Sequence, residues 1–178
     1  DFGHGGEDTG IIGPTSLRES EVCEDIGMRV GNLFKMLGTN VKYTRKPKQS
    51  CAMEKRVDFI NNRQADLVIS VHVNNATNLA AEGSSTYYFA SGDVVSIEGK
   101  KIAGFLQEEQ INTLGTKDCR VHGKNFNILR LTKIPAVIIE PVFISNPSEE
   151  SKLKAEDFRQ NIASAVFDGL QKYFKEAT

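Results

Sequence analysis

Apolar residues recur at helical spacing in four stretches of the chain. An interval of three or four residues places such side chains on one face of a helix, which then packs against a core. This pattern predicts helices over residues 19–38, 53–62, 94–114 and 158–174. Gly38 is expected to end the first helix, whereas Gly99 and Gly104 argue against an unbroken third helix. The charged residues 149–157 are expected to form an exposed helix surface.

Short runs of β-branched and other apolar residues predict strands between these helices. The predicted strands cover residues 41–44, 67–73, 85–90, 127–131 and 136–139. The run over 67–73 is almost continuously apolar, as in a strand that is buried on both faces of a parallel sheet. Because strands alternate with helices, the sequence predicts one α/β domain over residues 1–178, built on a mainly parallel twisted sheet.

Composition and charge argue against two functional classes. The 178 residues suffice for one domain with a proper core. Basic residues number 22 and acidic residues 23, a net charge of −1, so the basic excess typical of nucleic-acid-binding proteins is missing. No apolar stretch approaches the roughly 20 residues that cross a bilayer. We therefore expect neither nucleic-acid binding nor membrane insertion.

The cysteines and the first residues of the chain bear on the cellular compartment. Cys23, Cys51 and Cys119 are too few and too scattered for a disulfide framework, so we expect free thiols. No signal peptide is visible, but the chain starts abruptly at Asp1 inside a motif. This start favours a strand or an export signal upstream of Asp1.

Polar side chains with catalytic potential stand at the ends of predicted elements. His4 lies in a glycine-rich run, Glu19 lies at a helix start, and His72 and Glu140 each follow an apolar strand. Loops at the carboxyl ends of strands meet at one edge of an α/β sheet, so we expect these residues to converge. His4, Glu19 and His72 match the number and type of ligands of a catalytic zinc ion. Glu140 can act as general base and then as general acid. The apolar residues that precede it favour a raised pKa of its carboxyl group.

Each candidate ligand also has a structural explanation. His4 fits a surface turn, because glycine-rich runs make ordinary turns. Glu19 is favoured near a helix start by the helix macrodipole. His72 fits a core histidine whose ring nitrogens are satisfied by neighbours.

Motifs follow one another in a fixed order along nearly the whole chain. They are DFGHGGEDTG at 1–10, LRESEV at 17–22, YTR at 43–45, Arg56 with Asn61 or Asn62, AD at 65–66, SVHVN at 70–74, LR at 129–130, IPAV at 134–137, Glu140 and FISN at 143–146. In this order and spacing they resemble the zinc-dependent N-acetylmuramoyl-L-alanine amidases of the amidase-3 type, which are cell-wall hydrolases.

The resemblance implies a function, a site and a setting. It implies that His4, Glu19 and His72 bind Zn²⁺ and that Glu140 is the catalytic glutamate. The implied reaction is hydrolysis of the amide between N-acetylmuramic acid and L-alanine in peptidoglycan, on a sheet of about six strands flanked by helices. The implied setting is outside the cytoplasm, as an exported autolysin, or a phage endolysin released at lysis. An activator or a wall-anchoring domain outside this chain is compatible with the resemblance.

Two departures from the family pattern are visible. Glu24 stands at a usually apolar position of the first helix, which keeps Glu21 as an alternative ligand to Glu19. Val142 replaces the usual glycine before Phe143. Neither departure removes a candidate ligand or the candidate catalytic glutamate.

Asn74 and Arg120 are the candidate substrate-binding residues. Asn74 either orients substrate or caps the turn after its strand. Arg120 lies in the polar segment 115–127, which is expected to form a loop. In this loop Arg120 or His122 would bind a carboxylate of the peptide substrate. The alternative is a solvent-exposed loop without a binding role. Cys119 and His122 have the spacing of half a metal site, with no second pair nearby in the sequence.

Two other functions fit the same pattern. One is a zinc peptidase or amidase of related fold that cleaves a different bond. The other is a catalytically silent wall-binding module. The presence of all three candidate ligands together with Glu140 favours the enzyme.

Overall fold

The structure, a computed structural model, describes residues 1–177 as an α/β domain. Its helices are α1 (Glu19–Met36), α2 (Met53–Asn61), α3 (Ile97–Leu114), α4 (Asn127–Leu131), α5 (Pro147–Lys154) and α6 (Glu156–Ala177). Its strands are β1 (Val68–Val71), β2 (Ser84–Ser91), β3 (Val94–Val95), β4 (Asp118–Lys124) and β5 (Ala136–Glu140). The α/β class expected from the sequence is confirmed.

The strands form one mixed sheet with β5 between β1 and β2. Strand β1 is parallel to β5 and β4 is parallel to β2, whereas β2 runs antiparallel to both β5 and β3. Within residues 1–177 the sheet has five strands, where about six were expected. It is mixed rather than mainly parallel, because β2 is reversed relative to its neighbour β5.

The sheet separates two apolar clusters. Val137 and Ile139 of β5 pack into the larger cluster with α1, α3 and α6, whereas Ala136 and Ile138 pack into the smaller one with α2 and α4. This alternation follows from the period-two geometry of a strand. Helices cover both faces of the sheet, so β1 and β5 are buried on both sides. This is why both strands have the nearly continuous apolar sequences from which they were predicted.

Two predicted strands have a different structure. Residues 41–44 do not pair with a strand of the sheet. Instead, Tyr43 packs on the Phe2 ring, and the Thr44 hydroxyl donates to the Asp1 carboxylate. Residues 127–131 form the short helix α4 instead of a strand. The reason is that a short apolar run does not separate a strand from a buried helical turn.

Two strands lie where other structure was expected. Val94–Val95 forms β3, and α3 begins only after Ser96, whose hydroxyl accepts from the Gly99 backbone N–H. From there α3 is continuous to Leu114 despite its glycines. The expected polar loop over 115–127 contains β4, which pairs with β2. Its polar side chains are tolerated because the strand is largely exposed.

Helix α5 carries two adjacent buried carboxylates, where an exposed surface was expected. Glu150 is fully buried and accepts the Thr15 backbone N–H at 2.9 Å. Glu149 is 3% exposed and accepts the backbone N–H groups of Phe143 at 2.7 Å and Gly83 at 3.1 Å. The expectation is wrong at these two positions because each carboxylate satisfies backbone donors of distant loops.

Removing the Glu150 carboxylate is expected to destabilise the fold. Glu150→Ala should lower the free energy of unfolding by about 1–3 kcal/mol, because the Thr15 N–H loses a charged acceptor. Urea denaturation monitored by circular dichroism measures this loss. The matched control is Glu54→Ala on α2, an exposed glutamate, which should change stability by less than about 0.5 kcal/mol. Equal losses in both variants would contradict the role of Glu150.

Two further expectations can be compared with the structure. Cys23, Cys51 and Cys119 are free thiols, as expected, and Cys23 is buried. Among residues 1–177, no helix combines the length and the apolar character needed to span a membrane.

Candidate metal centre and catalytic site

The parallel pairing of β1 with β5 brings polar residues to one edge of the sheet. Val71 lies beside Ile139, so His72 and Glu140, which come next in the chain, leave the sheet at the same end. The first residues of the chain run parallel to β1, and the Gly3 backbone N–H donates to the Val71 carbonyl at 3.0 Å. His4 therefore reaches this same edge.

His4, Glu19 and His72 form a compact cluster there. Glu19 Oε2 lies 3.1 Å from His4 Nε2, and Glu19 Oε1 lies 3.0 Å from His72 Nδ1. One potential ligand atom from each residue lies within 4.8 Å of the others. The imidazole rings meet edge to face with centroids 5.0 Å apart. The structure thus brings together the three residues that the sequence indicated as metal ligands.

Helix α1 presents Glu19, not Glu21, to the histidines. Glu19 is 2% exposed, whereas the Glu21 side chain is 62% exposed and pairs with Arg18 at 3.6 Å. The unusual Glu24 has a partner of its own, because it accepts from the Arg45 guanidinium at 2.7 Å. The alternative ligand Glu21 therefore faces away from the cluster.

Close packing around the histidines depends on glycine. A Cβ at Gly3 would lie 2.3 Å from His72 Cε1, and a Cβ at Gly10 would lie 2.7 Å from Glu19 Oε2. His4 has a φ of 57°, a left-handed conformation that costs a non-glycine residue about 1–3 kcal/mol. Strain of this kind is found at functional sites, where the surroundings hold the residue in place.

Asp8 fixes the orientation of the His4 ring. Its carboxylate lies 3.0 Å from His4 Nδ1 and also accepts the Gly10 backbone N–H. Because an ionised carboxylate only accepts, Nδ1 donates to Asp8 and Nε2 donates to Glu19, so Nε2 would have to give up its proton to bind a metal. Asp8 was not among the site residues predicted from the sequence, although its position four residues after His4 within the glycine-rich run was a usable signal.

The charges in the cluster favour an ionised carboxylate. Burial raises the pKa of Glu19, but the hydrogen bonds from His4 and His72 together have the larger effect. They hold the pKa of the Glu19 carboxyl below its usual range. The pKa of His4 is raised, chiefly by its hydrogen bond to Glu19. Glu19 is therefore ionised at neutral pH, as a carboxylate ligand must be to bind a metal.

Two buried arginines hold the glycine-rich run from behind. Arg45 donates to the Phe2 carbonyl oxygen at 3.2 Å, and its charge lies over the Phe2 ring. Arg56 donates to the Phe2 carbonyl at 2.7 Å, to the His4 carbonyl and to the Asp1 carboxylate at 2.8 Å. The position of His4 thus depends on side chains that lie some 40 to 50 residues further along the chain.

Glu140 lies at the end of β5, half-buried and opposite Ser85 of β2. Burial raises the pKa of the Glu140 carboxyl, and the Tyr87 hydroxyl and the nearby His72 only partly offset this effect. A carboxyl with a raised pKa is suited to take up a proton near neutral pH and to return it.

The two candidate substrate-binding residues occupy different places. Asn74 Nδ2 donates to Ser85 Oγ at 3.1 Å, and its Oδ1 accepts the Asn75 backbone N–H at 2.8 Å, so it also caps the turn. Arg120 lies on β4 with a φ of 72°, where the pairing with β2 is irregular. Within residues 1–177, no hydrogen bond or ion pair joins its side chain to the three residues of the cluster or to Glu140.

Cys119 and His122 do not form a metal site in the described part of the chain. The Cys119 thiol donates to the Glu82 carbonyl, and His122 Nε2 donates to the Cys119 carbonyl at 2.6 Å. Among residues 1–177, the one group of three or more potential ligands is His4, Glu19 and His72.

The sequence and the fold are those of a known family of proteins. The sequence matches the N-acetylmuramoyl-L-alanine amidase family over residues 1–172, and the chain belongs to this family. It is 33% identical over 175 residues to N-acetylmuramoyl-L-alanine amidase LytC of Bacillus subtilis (strain 168). That match covers 98% of this chain and 35% of LytC, so the chain spans about a third of the length of that relative.

Solved structures agree with this assignment. The catalytic domain of CwlV, an N-acetylmuramoyl-L-alanine amidase from Bacillus (Paenibacillus) polymyxa var. colistinus, superposes with a TM-score of 0.89 at 28% identity, covering 97% of this chain and 94% of CwlV. The CwlD amidase from Clostridioides difficile, solved in complex with the GerS lipoprotein, gives a TM-score of 0.90 at 26% identity, covering 97% and 95%.

Proposed function

We propose that residues 1–178 are the catalytic domain of a zinc-dependent N-acetylmuramoyl-L-alanine amidase. The domain would hydrolyse the amide between N-acetylmuramic acid and L-alanine in peptidoglycan. The observation that carries the proposal is the cluster of His4, Glu19 and His72 beside Glu140, in a chain of this family. The names of the related LytC and CwlV proteins support the same substrate.

The residues of the cluster fit a zinc ion. Two imidazoles and one carboxylate are the ligand number and type of a catalytic zinc site. The glycines at positions 3 and 10 leave room beside His72 and Glu19, and Asp8 orients the His4 ring so that Nε2 faces Glu19, where it would bind the metal once deprotonated. When bound, zinc supplies a Lewis acid that polarises a carbonyl group and increases the acidity of water near neutral pH.

Glu140 would move the proton in this reaction. Its ionised carboxylate takes a proton from the attacking water and gives it to the amino group of L-alanine as the amide bond breaks. The raised pKa of Glu140 supports both steps, because the carboxyl is a stronger base and still an effective acid near neutral pH. His4, Glu19 and His72 would keep the metal at the same edge of the sheet.

We also infer an extracytoplasmic site of action, as for an exported autolysin or an endolysin released at lysis, because peptidoglycan lies outside the cytoplasm. The complex of the related CwlD with the GerS lipoprotein supports the expectation of a partner protein for this chain. A wall-anchoring domain stays an expectation from the resemblance.

Hydrolysis of purified peptidoglycan tests the proposed function. We expect new L-alanine amino termini with the zinc-loaded protein, none after chelation, and recovery when zinc is added back. New termini of another amino acid would instead indicate a peptidase that cleaves a different bond. No new termini from a protein with verified zinc would indicate a missing activator, a different substrate or a silent wall-binding module.

A further inference from the structure

A chain of hydrogen-bonding groups leads from Asn74 to Glu140. Asn74 Nδ2 donates to Ser85 Oγ at 3.1 Å, and Ser85 Oγ lies 3.0 Å from the Tyr87 hydroxyl. The Tyr87 hydroxyl is in turn near enough to the Glu140 carboxyl to lower the pKa of that carboxyl. In the antiparallel register Ser85 lies opposite Glu140 and Tyr87 lies opposite Ile138. The side chains of Ser85, Tyr87 and Glu140 therefore share one face of the sheet.

The groups in this chain allow one direction that ends at Glu140. The Asn74 amide nitrogen can only donate, so the Ser85 hydroxyl accepts from it, and the Ser85 O–H can be donated to Tyr87. The Tyr87 O–H is then available to Glu140, whose ionised carboxylate only accepts. Burial and the Glu140 charge raise the pKa of Tyr87 to about 12, so Tyr87 stays a donor at neutral pH.

Aromatic neighbours hold the Tyr87 ring in place. The His122 ring lies 5.7 Å from it, and the Phe126 ring meets it edge to face at 5.5 Å. His122 is itself fixed by its hydrogen bond to the Cys119 carbonyl. The ring also packs against the smaller apolar cluster. Ring packing and hydroxyl bonding are therefore separate contributions, and a phenylalanine would keep the first and lose the second.

We propose that Tyr87 is a positioning residue for Glu140. Its hydroxyl holds one oxygen of the carboxylate, which leaves the other oxygen to exchange the proton with water and the leaving amine. This inference rests on the proposed function, because it needs Glu140 as the proton carrier. It gives the Asn74 side chain a task as well, since Asn74 starts the chain of donors that orients Tyr87.

The Tyr87→Phe variant tests the role of the hydroxyl. We expect kcat for release of L-alanine termini to fall about 10- to 100-fold, the effect of losing one hydrogen bond to a charged group. KM should change less than about twofold, because the ground-state binding of substrate does not use this bond. The zinc content and the midpoint of thermal unfolding should match those of the wild-type protein. Tyr88→Phe is the matched control, since Tyr88 packs on the opposite face of the same strand, and its kcat should stay unchanged.

A double-mutant cycle separates positioning from a general structural effect. In a Glu140→Ala background, Tyr87→Phe should lower the residual kcat by less than about twofold, because the group that it positions is gone. An equal loss in both backgrounds, or an unchanged kcat in the single variant, overturns the role of Tyr87. If instead the zinc-loaded protein forms no L-alanine termini, or Glu140→Ala has no effect, the proposed function itself fails, and the two failures are distinguishable.

Discussion

The Glu140→Gln variant is expected to lose turnover by about 10²- to 10⁴-fold while it still binds zinc. Glutamine has nearly the shape of glutamate but cannot take up the proton of water. Glu140 is not a member of the ligand cluster, so the metal site should stay intact. The measurement is the rate of release of L-alanine termini from peptidoglycan, with zinc content determined by atomic absorption on the same preparations.

The control for this experiment is Glu21→Gln. Glu21 is an exposed glutamate on α1 and the alternative ligand that the sequence left open. Its replacement should leave both turnover and zinc content unchanged. Full turnover of Glu140→Gln would remove Glu140 from the mechanism, whereas loss of zinc from that variant would make Glu140 a ligand instead.

The Glu19→Gln variant is expected to lose the metal itself. An amide carries no charge, and its NH₂ group places donors where the two histidines now meet an acceptor. The loss of zinc affinity should exceed the roughly 10- to 100-fold that removal of an outer hydrogen-bond partner causes. Competition with a chromogenic chelator measures this affinity, and turnover at limiting zinc should fall with it.

Thermal unfolding gives a readout of Glu19 that does not depend on activity. A ligand that binds only the folded state raises the unfolding midpoint. Added zinc should therefore stabilise the unchanged protein and the Glu21→Gln control, and have a much smaller effect on Glu19→Gln. The same zinc-induced shift in all three proteins would show that Glu19 does not hold the metal.

Much of the candidate site was predictable because its residues interrupt apolar patterns. His72 and Glu140 each end a run of apolar residues, and a polar group at such a place needs a partner. The parallel pairing of β1 with β5 then sends both residues to one edge, as the alternation of strands and helices indicated. Glu19 could be preferred to Glu21 because that choice places Val22, Ile26 and Val30 at the apolar positions of the family pattern, and these three side chains are buried in α1.

Other features depend on partners that are distant in the sequence. The direction of β2 relative to β5 is not encoded in its own alternation, which is the same for parallel and antiparallel pairing. Glu149 and Glu150 look like solvated charges until the loops that supply their N–H donors are in place. Tyr87 was assigned to a strand, but its relation to Glu140 requires the register between two strands.

The hydrogen bonds from Arg45 and Arg56 to the glycine-rich run have a consequence for the order of folding. Their bonds to the carbonyls of Phe2 and His4 span 43 to 54 residues of chain. Contacts of such sequence separation form late, because a long loop must close before they contribute stability. The candidate ligand His4 is thus fixed only after Arg45 and Arg56 have folded back onto the start of the chain. A nascent or partly unfolded chain would carry all the residues of the candidate site without the arrangement that brings them together.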